Sequence, residues 1–142
     1  MLDQTDQHDL LNRALLGAGL RATRQREQVF DILMKERNHP TAEDIYHKAR
    51  ANHQELSLAT VYNCLDTLVS CGLVRQVNLD RDSTRYCPNL EPHAHFHNEE
   101  TGEIVDINLP TDLIRKIQDV IPPEYKITSM ELNFRGHTTP AS

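Results

Sequence analysis

Tryptophan is absent from this chain of 142 residues, aromatic side chains make up only 5% of it, and it has three cysteines and five glycines. Cys64, Cys71 and Cys87 are odd in number and form no C-x-x-C pair, so neither a disulfide framework nor a thiolate zinc knuckle is indicated. No apolar run approaches the length needed to span a bilayer. The opening Met1-Leu2-Asp3-Gln4-Thr5-Asp6 lacks the basic start and apolar stretch of a secretion signal. A cytoplasmic protein with no membrane partner is the expectation. A basic excess is also missing: the net charge is -6, which argues mildly against nucleic acid as a partner. Its distribution softens that objection. From Arg21 to Arg75 eight lysines and arginines face seven acids, whereas from Arg81 onward six face ten. A bound divalent cation would offset part of the acidic half.

What the chain does have is histidine in a pattern. His93-Ala94-His95-Phe96-His97 places three imidazoles at alternate positions, and Asp106 follows in a second segment that alternates like a strand. Side chains at i, i+2 and i+4 of a strand share one face, so the three rings point one way, with Ala94 and Phe96 opposite. Imidazole is the commonest side-chain metal ligand, and a carboxylate adds a hard oxygen and a negative charge. The bland alternative is a His-rich surface strand. His97 is read as a solvated residue of that strand or an extra ligand for a second metal site. His8, His47, His53 and His137 stand in no motif and default to the surface.

The rest of the chain reads as an α+β protein. A short helix is expected over Leu10–Gly17. Thr23 caps a second helix running to Lys35, with Val29, Ile32 and Leu33 buried. Thr41-Ala42-Glu43-Asp44 has the form of a capping box that opens a third helix. Ser57 caps a fourth, whose Leu58, Val61, Leu65 and Leu68 recur at helical spacing before Gly72 ends it. Strands over Leu73–Leu79 and Thr84–Cys87, joined by the turn Asp80-Arg81-Asp82-Ser83, complete a winged helix-turn-helix over residues 1–87. There the fourth helix enters the major groove of double-stranded DNA. Its outward residues, Ala59, Thr60, Tyr62, Asn63, Asp66 and Thr67, include groups that read base edges or bond phosphate. Cys64 and Cys71 are assigned to packing.

Residues 88–92, with two prolines, read as a hinge, and 93–142 as a small α/β dimerisation and metal-binding domain. In it, strands are expected at His93–His97 and Glu103–Leu109. A helix capped by Thr111 follows, with Leu113, Ile114, Ile117 and Val120 facing a core. A last strand spans Tyr125–Arg135, bulged near Thr128-Ser129. The tail after Gly136 is expected to lack fixed structure. So small a unit stabilises itself poorly, and strand pairing with a second copy predicts a homodimer.

These segments together resemble the ferric uptake regulator family of metal-dependent transcription factors. The resemblance rests on Gly19-Leu20-Arg21-Ala22-Thr23-Arg24-Gln25-Arg26, His39-Pro40-Thr41-Ala42-Glu43-Asp44-Ile45-Tyr46, Ser57-Leu58-Ala59-Thr60-Val61-Tyr62-Asn63, Gly72-Leu73-Val74, His93-Ala94-His95 and Gly102-Glu103-Ile104-Val105-Asp106. It implies a dimeric repressor that is not an enzyme and binds a palindromic A/T-rich operator when a regulatory metal is in place. The family's metal ligands fall at His39, His93, His95 and Asp106, plus an acidic position that aligns with Cys87. Tyr62 and Asn63, with Ala59 and Thr60 on the same helix face, fall where recognition-helix contacts lie. Arg21, Arg24 and Arg26 are candidates for phosphate or minor-groove contacts. Asp rather than Glu at position 106 resembles the peroxide-sensing branch, in which Fe(II) reacts with hydrogen peroxide and a ligand histidine, His39 or His93, is oxidised. The neutral imidazole and carboxylate donors suit Fe(II) or Mn(II).

Two departures qualify the resemblance. Asn98 and Thr101 stand where the family's first structural-zinc cysteine pair falls, and Gly136-His137-Thr138-Thr139 supplies no second pair. No structural zinc held by four cysteines is therefore expected. Cys87 stands in place of an acidic ligand. It is a thiolate that favours zinc, an oxidisable switch, or a small side chain ending a strand. Alternatives remain at this level. Cys87-Pro88 has the form of a haem-regulatory dipeptide, so an iron- or haem-responsive member of the same family is one. A small metalloenzyme using the His-x-His and Asp106 donors is another, and a winged helix that binds protein rather than DNA is a third.

Overall fold

The computed structural model describes residues 4–36, 38–78 and 83–139; Leu79, Asp80, Arg81 and Asp82 of the expected strand end and turn lie outside these, as does the end of the tail. The chain divides into two compact units, Met1–Leu90 and Glu91–Ser142.

The first unit is helical and carries the core. Helix α1 covers Gln4–Gly17, longer than its apolar residues suggest, because a polar turn precedes Leu10. His8 belongs to that turn and is tied down rather than simply solvated, with Nε2 3.1 Å from Asp31 Oδ1 on the next helix. Helix α2 (Arg24–Lys35) starts where Thr23 Oγ1 accepts the amide of Arg26 at 3.2 Å. Helix α3 (Ala42–Ala51) has both halves of its capping box: Asp44 N donates to Thr41 Oγ1 and Thr41 N to Asp44 Oδ2. Ser57 Oγ accepts from Thr60 N to open α4 (Leu58–Ser70). Each cap satisfies amides that the first helical turn leaves without partners, so the boundaries are fixed locally.

Gly72 then takes a φ of +77°, a conformation costly for residues with a Cβ, and Leu73 N bonds back to Leu68 O at 3.0 Å. That turn feeds a hairpin of β1 (Arg75–Val77) and β2 (Arg85–Cys87), paired antiparallel and shorter than expected. Leu73 and Val74 enter the core ahead of the ladder. Val29, Phe30, Leu33, Ile45, Val61, Leu65 and Leu68 pack with them, joined by Leu11 and Leu15 from α1. Burying such side chains contributes about 1.5–3 kcal/mol each. Cys64 lies in this core and Cys71 packs against it, as their assigned role requires.

The second unit is a sheet of order β4-β3-β5, with β3 (His93–Asn98) antiparallel to β4 (Ile104–Asn108) and parallel to β5 (Asn133–Gly136). Three expectations need correction. Thr111 is the first residue of α5 (Thr111–Asp119) rather than its cap; Pro110 holds that position and offers no capping oxygen. The apolar stripe of α5 does not enter a core: no residue of the helix is buried, Leu113 is 42% exposed, and Val120, just past its end, is 81% exposed. The last strand is confined to Asn133–Gly136, which pairs with β3 from His95 to Asn98, and residues 125–132 form no ladder. Among the described residues of this unit only Ala94 and Ile104 are buried apolar side chains.

Candidate metal centre and nucleic-acid interface

In the second unit the β3–β4 register sets His95 opposite Asp106 and Phe96 opposite Val105. Strand alternation then sorts the sheet into two faces. Ala94, Phe96, Val105, Ile107 and Phe134 take one, and His93, His95, His97, Asp106 and Asn133 take the other. On the polar face three donor atoms converge. His93 Nε2 lies 3.1 Å from His95 Nε2, His95 Nε2 lies 3.3 Å from Asp106 Oδ1, and His93 Nε2 lies 3.7 Å from Asp106 Oδ1. Donors bound at about 2.1 Å around one cation stand roughly 3.0–3.5 Å from each other; two of the three separations fall in that range and the His93–Asp106 one slightly above it, so the set could hold a single metal ion. His93 is also oriented for the task. Its Nδ1 donates to the Glu91 carbonyl at 2.6 Å, which fixes the ring and makes Nε2 its lone-pair nitrogen.

His97 does not extend this group and is not solvated. It is 6% exposed, with Nε2 3.1 Å from Asn133 Oδ1, and so pins β5 to β3. This corrects its reading as a solvated strand residue. Asn98 likewise caps the following turn, receiving the amides of Glu100 and Thr101, and Thr101 Oγ1 accepts from Glu103 N. Ordinary turn hydrogen bonds occupy the positions where cysteine ligands would stand.

In the first unit His39 and Cys87 are both buried and bring a ring nitrogen and Sγ within 4.8 Å of each other. Nearly fifty residues separate them, and β2 closes the distance. Arg85 Nη1 donates to the His39 carbonyl at 3.0 Å, Tyr86 N donates to Pro40 O at 2.9 Å, and Thr41 bridges to Arg85. The stitched loop holds His39 at φ 61°, a left-handed conformation uncommon for a residue with a Cβ. Arg85 does this positioning, and no local motif marks it.

The outer face of α4 carries the residues expected to meet DNA. Ala59, Tyr62, Asn63 and Asp66 are exposed, while Val61, Cys64, Leu65 and Leu68 face inward. A groove of about 200 Å³ between α2 and α4 is lined by Thr23, Gln25, Arg26, Thr60, Asn63 and Thr67, with the Cys64 thiol at its floor. Arg21 and Arg24 are exposed. Arg26 is partly committed, since its Nη1 donates to the Arg21 carbonyl at 2.7 Å and shapes the approach to α2. Burial pushes the Cys64 thiol above its ordinary value, and the nearby Arg26 opposes this only in part. It is a protonated packing group rather than a ready nucleophile. The hydroxyl of Tyr62 donates to Glu43 Oε1 at 2.8 Å, and that bond, with the neighbouring negative charge, holds the phenol above its usual range. Glu43 is not among the residues that the sequence places at this surface, since its position in the first turn of α3 accounts for an acid without reference to α4.

The model of the ferric uptake regulator family matches residues 17–135. Peroxide-responsive repressor PerR from Staphylococcus aureus is 34% identical over 97 residues, which is 68% of this chain and 66% of that protein. The chain therefore spans 66% of the length of the curated relatives it matches. The Helicobacter pylori ferric uptake regulator, whose structure is described as revealing three functional metal binding sites, superimposes with a TM-score of 0.77 at 22% identity, covering 96% of this chain and 92% of that one. The Campylobacter jejuni peroxide stress regulator gives 0.70 at 24% identity, covering 95% and 98%. At those identities the likeness to solved structures establishes the fold.

Proposed function

This chain belongs to the ferric uptake regulator family, and from that premise we propose that it is a metal-dependent transcriptional repressor that senses peroxide. The family consists of transcription regulators, which removes the metalloenzyme alternative. The observation that carries the proposal is the convergence of His93 Nε2, His95 Nε2 and Asp106 Oδ1 on one sheet face, separated as the donors of one cation would be. In this reading His39 and Cys87 of the first unit complete the donor set, so that metal biases the angle between a DNA-binding segment (1–87) and a dimerisation segment (93–142) about a hinge at 88–92. Metal acts only through its higher affinity for the DNA-competent arrangement. Fe(II) is the activating metal for sensing and Mn(II) a non-sensing substitute; the Cys87 thiolate makes zinc a competitor. His93, His95 and Asp106, with His39 and Cys87, would hold the ion; Fe(II) bound there would supply redox chemistry toward peroxide, and His39 and His93 are the imidazoles that would be oxidised. The S. aureus relative named a peroxide-responsive repressor, and Asp at position 106, support peroxide over iron as the signal.

The scarcity of buried apolar groups in the second unit, with Val105, Ile107 and Phe134 each more than 40% exposed, supports a homodimer built on that unit. The dimer would act on palindromic A/T-rich DNA in the cytoplasm. Two measurements test the proposal. Electrophoretic retardation of such a duplex should require Fe(II), Mn(II) or Zn(II), and no retardation with any of them overturns the regulator reading. Mass spectrometry of the Fe(II) protein after a brief peroxide pulse should find added oxygen on His39 or His93 together with loss of DNA binding. Intact histidines with DNA binding preserved would point instead to an iron-responsive regulator.

A further inference from the structure

Tyr62 and Glu43 define a hydrogen-bond polarity on the recognition surface. A phenol has one proton to donate and two lone pairs with which to accept. In this structure the Tyr62 proton goes to Glu43 Oε1, 2.8 Å away on the first turn of α3, and the ring remains 39% exposed on the outer face of α4. With its proton committed, the hydroxyl can only accept. That excludes phosphate oxygens, which only accept and which the adjacent carboxylate repels. It also excludes guanine N7 and O6, adenine N7 and thymine O4. The donors that remain in the major groove are the exocyclic amino groups of adenine and cytosine.

We propose that Glu43 is a specificity-determining residue of the DNA interface. By taking the Tyr62 proton it turns this tyrosine into an acceptor that selects an amino-bearing base, adenine or cytosine, and rejects guanine and thymine on the contacted strand. The inference rests on the DNA-binding reading above and adds to it a positioning residue outside the recognition helix. A second consequence follows from the same carboxylate: its charge beside the interface weakens binding to all duplexes alike, so removing it raises non-specific affinity while lowering discrimination.

The test uses the full-length, metal-loaded chain. Wild type, Glu43→Ala, Tyr62→Phe and the double variant each select from a randomised duplex pool. Affinities are then measured on the selected duplex and on versions changed at the position whose preference Tyr62→Phe alters. Wild type should prefer adenine or cytosine there over guanine by about fivefold or more. Glu43→Ala should lose most of that preference and bind a scrambled duplex more tightly, and the double variant should match Tyr62→Phe. Guanine or thymine as the wild-type preference, full discrimination retained by Glu43→Ala, or no position altered by Tyr62→Phe would each overturn the proposal while leaving DNA binding intact. Failure of wild type to select any sequence would overturn the DNA-binding reading together with this one. Glu43 is exposed, so the variants should keep their helices, which circular dichroism would check.

Discussion

His95 and Asp106 face each other across the β3–β4 ladder, with Nε2 and Oδ1 3.3 Å apart, and His93 approaches both from one ladder step away. Because the register of the backbone places the carboxylate, its removal should leave the strand unchanged. Asp106→Ala is expected to weaken Mn(II) binding by about 10–100-fold or more, read by competition with a chelator. Unchanged affinity would remove Asp106 from the ligand set. Cys87→Ser separates the roles of the thiol in the same assay. If Cys87 is a ligand, the variant should lose far more affinity for zinc than for manganese.

Arg85 fixes the backbone of His39 without contributing a donor atom of its own. Arg85→Ala removes the bond to the His39 carbonyl and leaves a left-handed residue less firmly held. Metal affinity should fall about tenfold, as for other groups that orient a ligand. The thermal midpoint should shift by only a few degrees, since a single partly exposed hydrogen bond contributes about 1 kcal/mol. An unchanged chelator titration would mean that the loop holds its shape without Arg85.

The sequence discloses most where structure is local. Thr23, Thr41 and Ser57 announce their helices because a capping oxygen acts within three residues, and His93–Asn98 announces a strand because its pattern is periodic. The face that gathers His93, His95 and Asp106 follows from that same alternation. What the sequence does not disclose depends on partners distant in the chain. The Tyr125–Arg135 alternation reads as one strand, yet only its last residues pair with β3. The stripe of α5 has the period of a buried helix but finds no core among the described residues of its own unit. Glu43 is explained completely by its helix start, so nothing local signals its contact with Tyr62 nineteen residues later.

The exposed apolar face of the second unit yields a test of assembly. Val105 and Ile107 sit on β4 opposite the histidine face, and both are 42% exposed. Ile107→Glu should convert a dimer to monomer in analytical ultracentrifugation and abolish binding to a palindromic duplex. The three donors of His93, His95 and Asp106 would remain in place. Monomers that still bind the palindrome with unchanged affinity would count against dimerisation through this face.

Stability should also fall at alkaline pH, and besides the exposed Tyr62 two buried groups contribute. Burial raises the Cys64 thiol above its ordinary value of 9.0 and the Tyr86 phenol above 10.0; the negative charges of Asp66 and Glu43 add to the second shift. Both groups ionise more readily in the unfolded chain than in the folded one. The folded state therefore binds more protons once pH passes 9, and unfolding becomes easier as pH rises through that window. Below the unfolded values both groups are protonated in either state, and the slope vanishes. Urea midpoints should hold level from neutral pH to about pH 8 on this account and then decline toward pH 11. Tyr86→Phe keeps the ring and removes the titrating hydroxyl, so it should flatten the upper part of the decline, above pH 10. Cys64→Ala should flatten the part that begins near pH 9. A decline identical in both variants would place the alkaline sensitivity elsewhere in the protein.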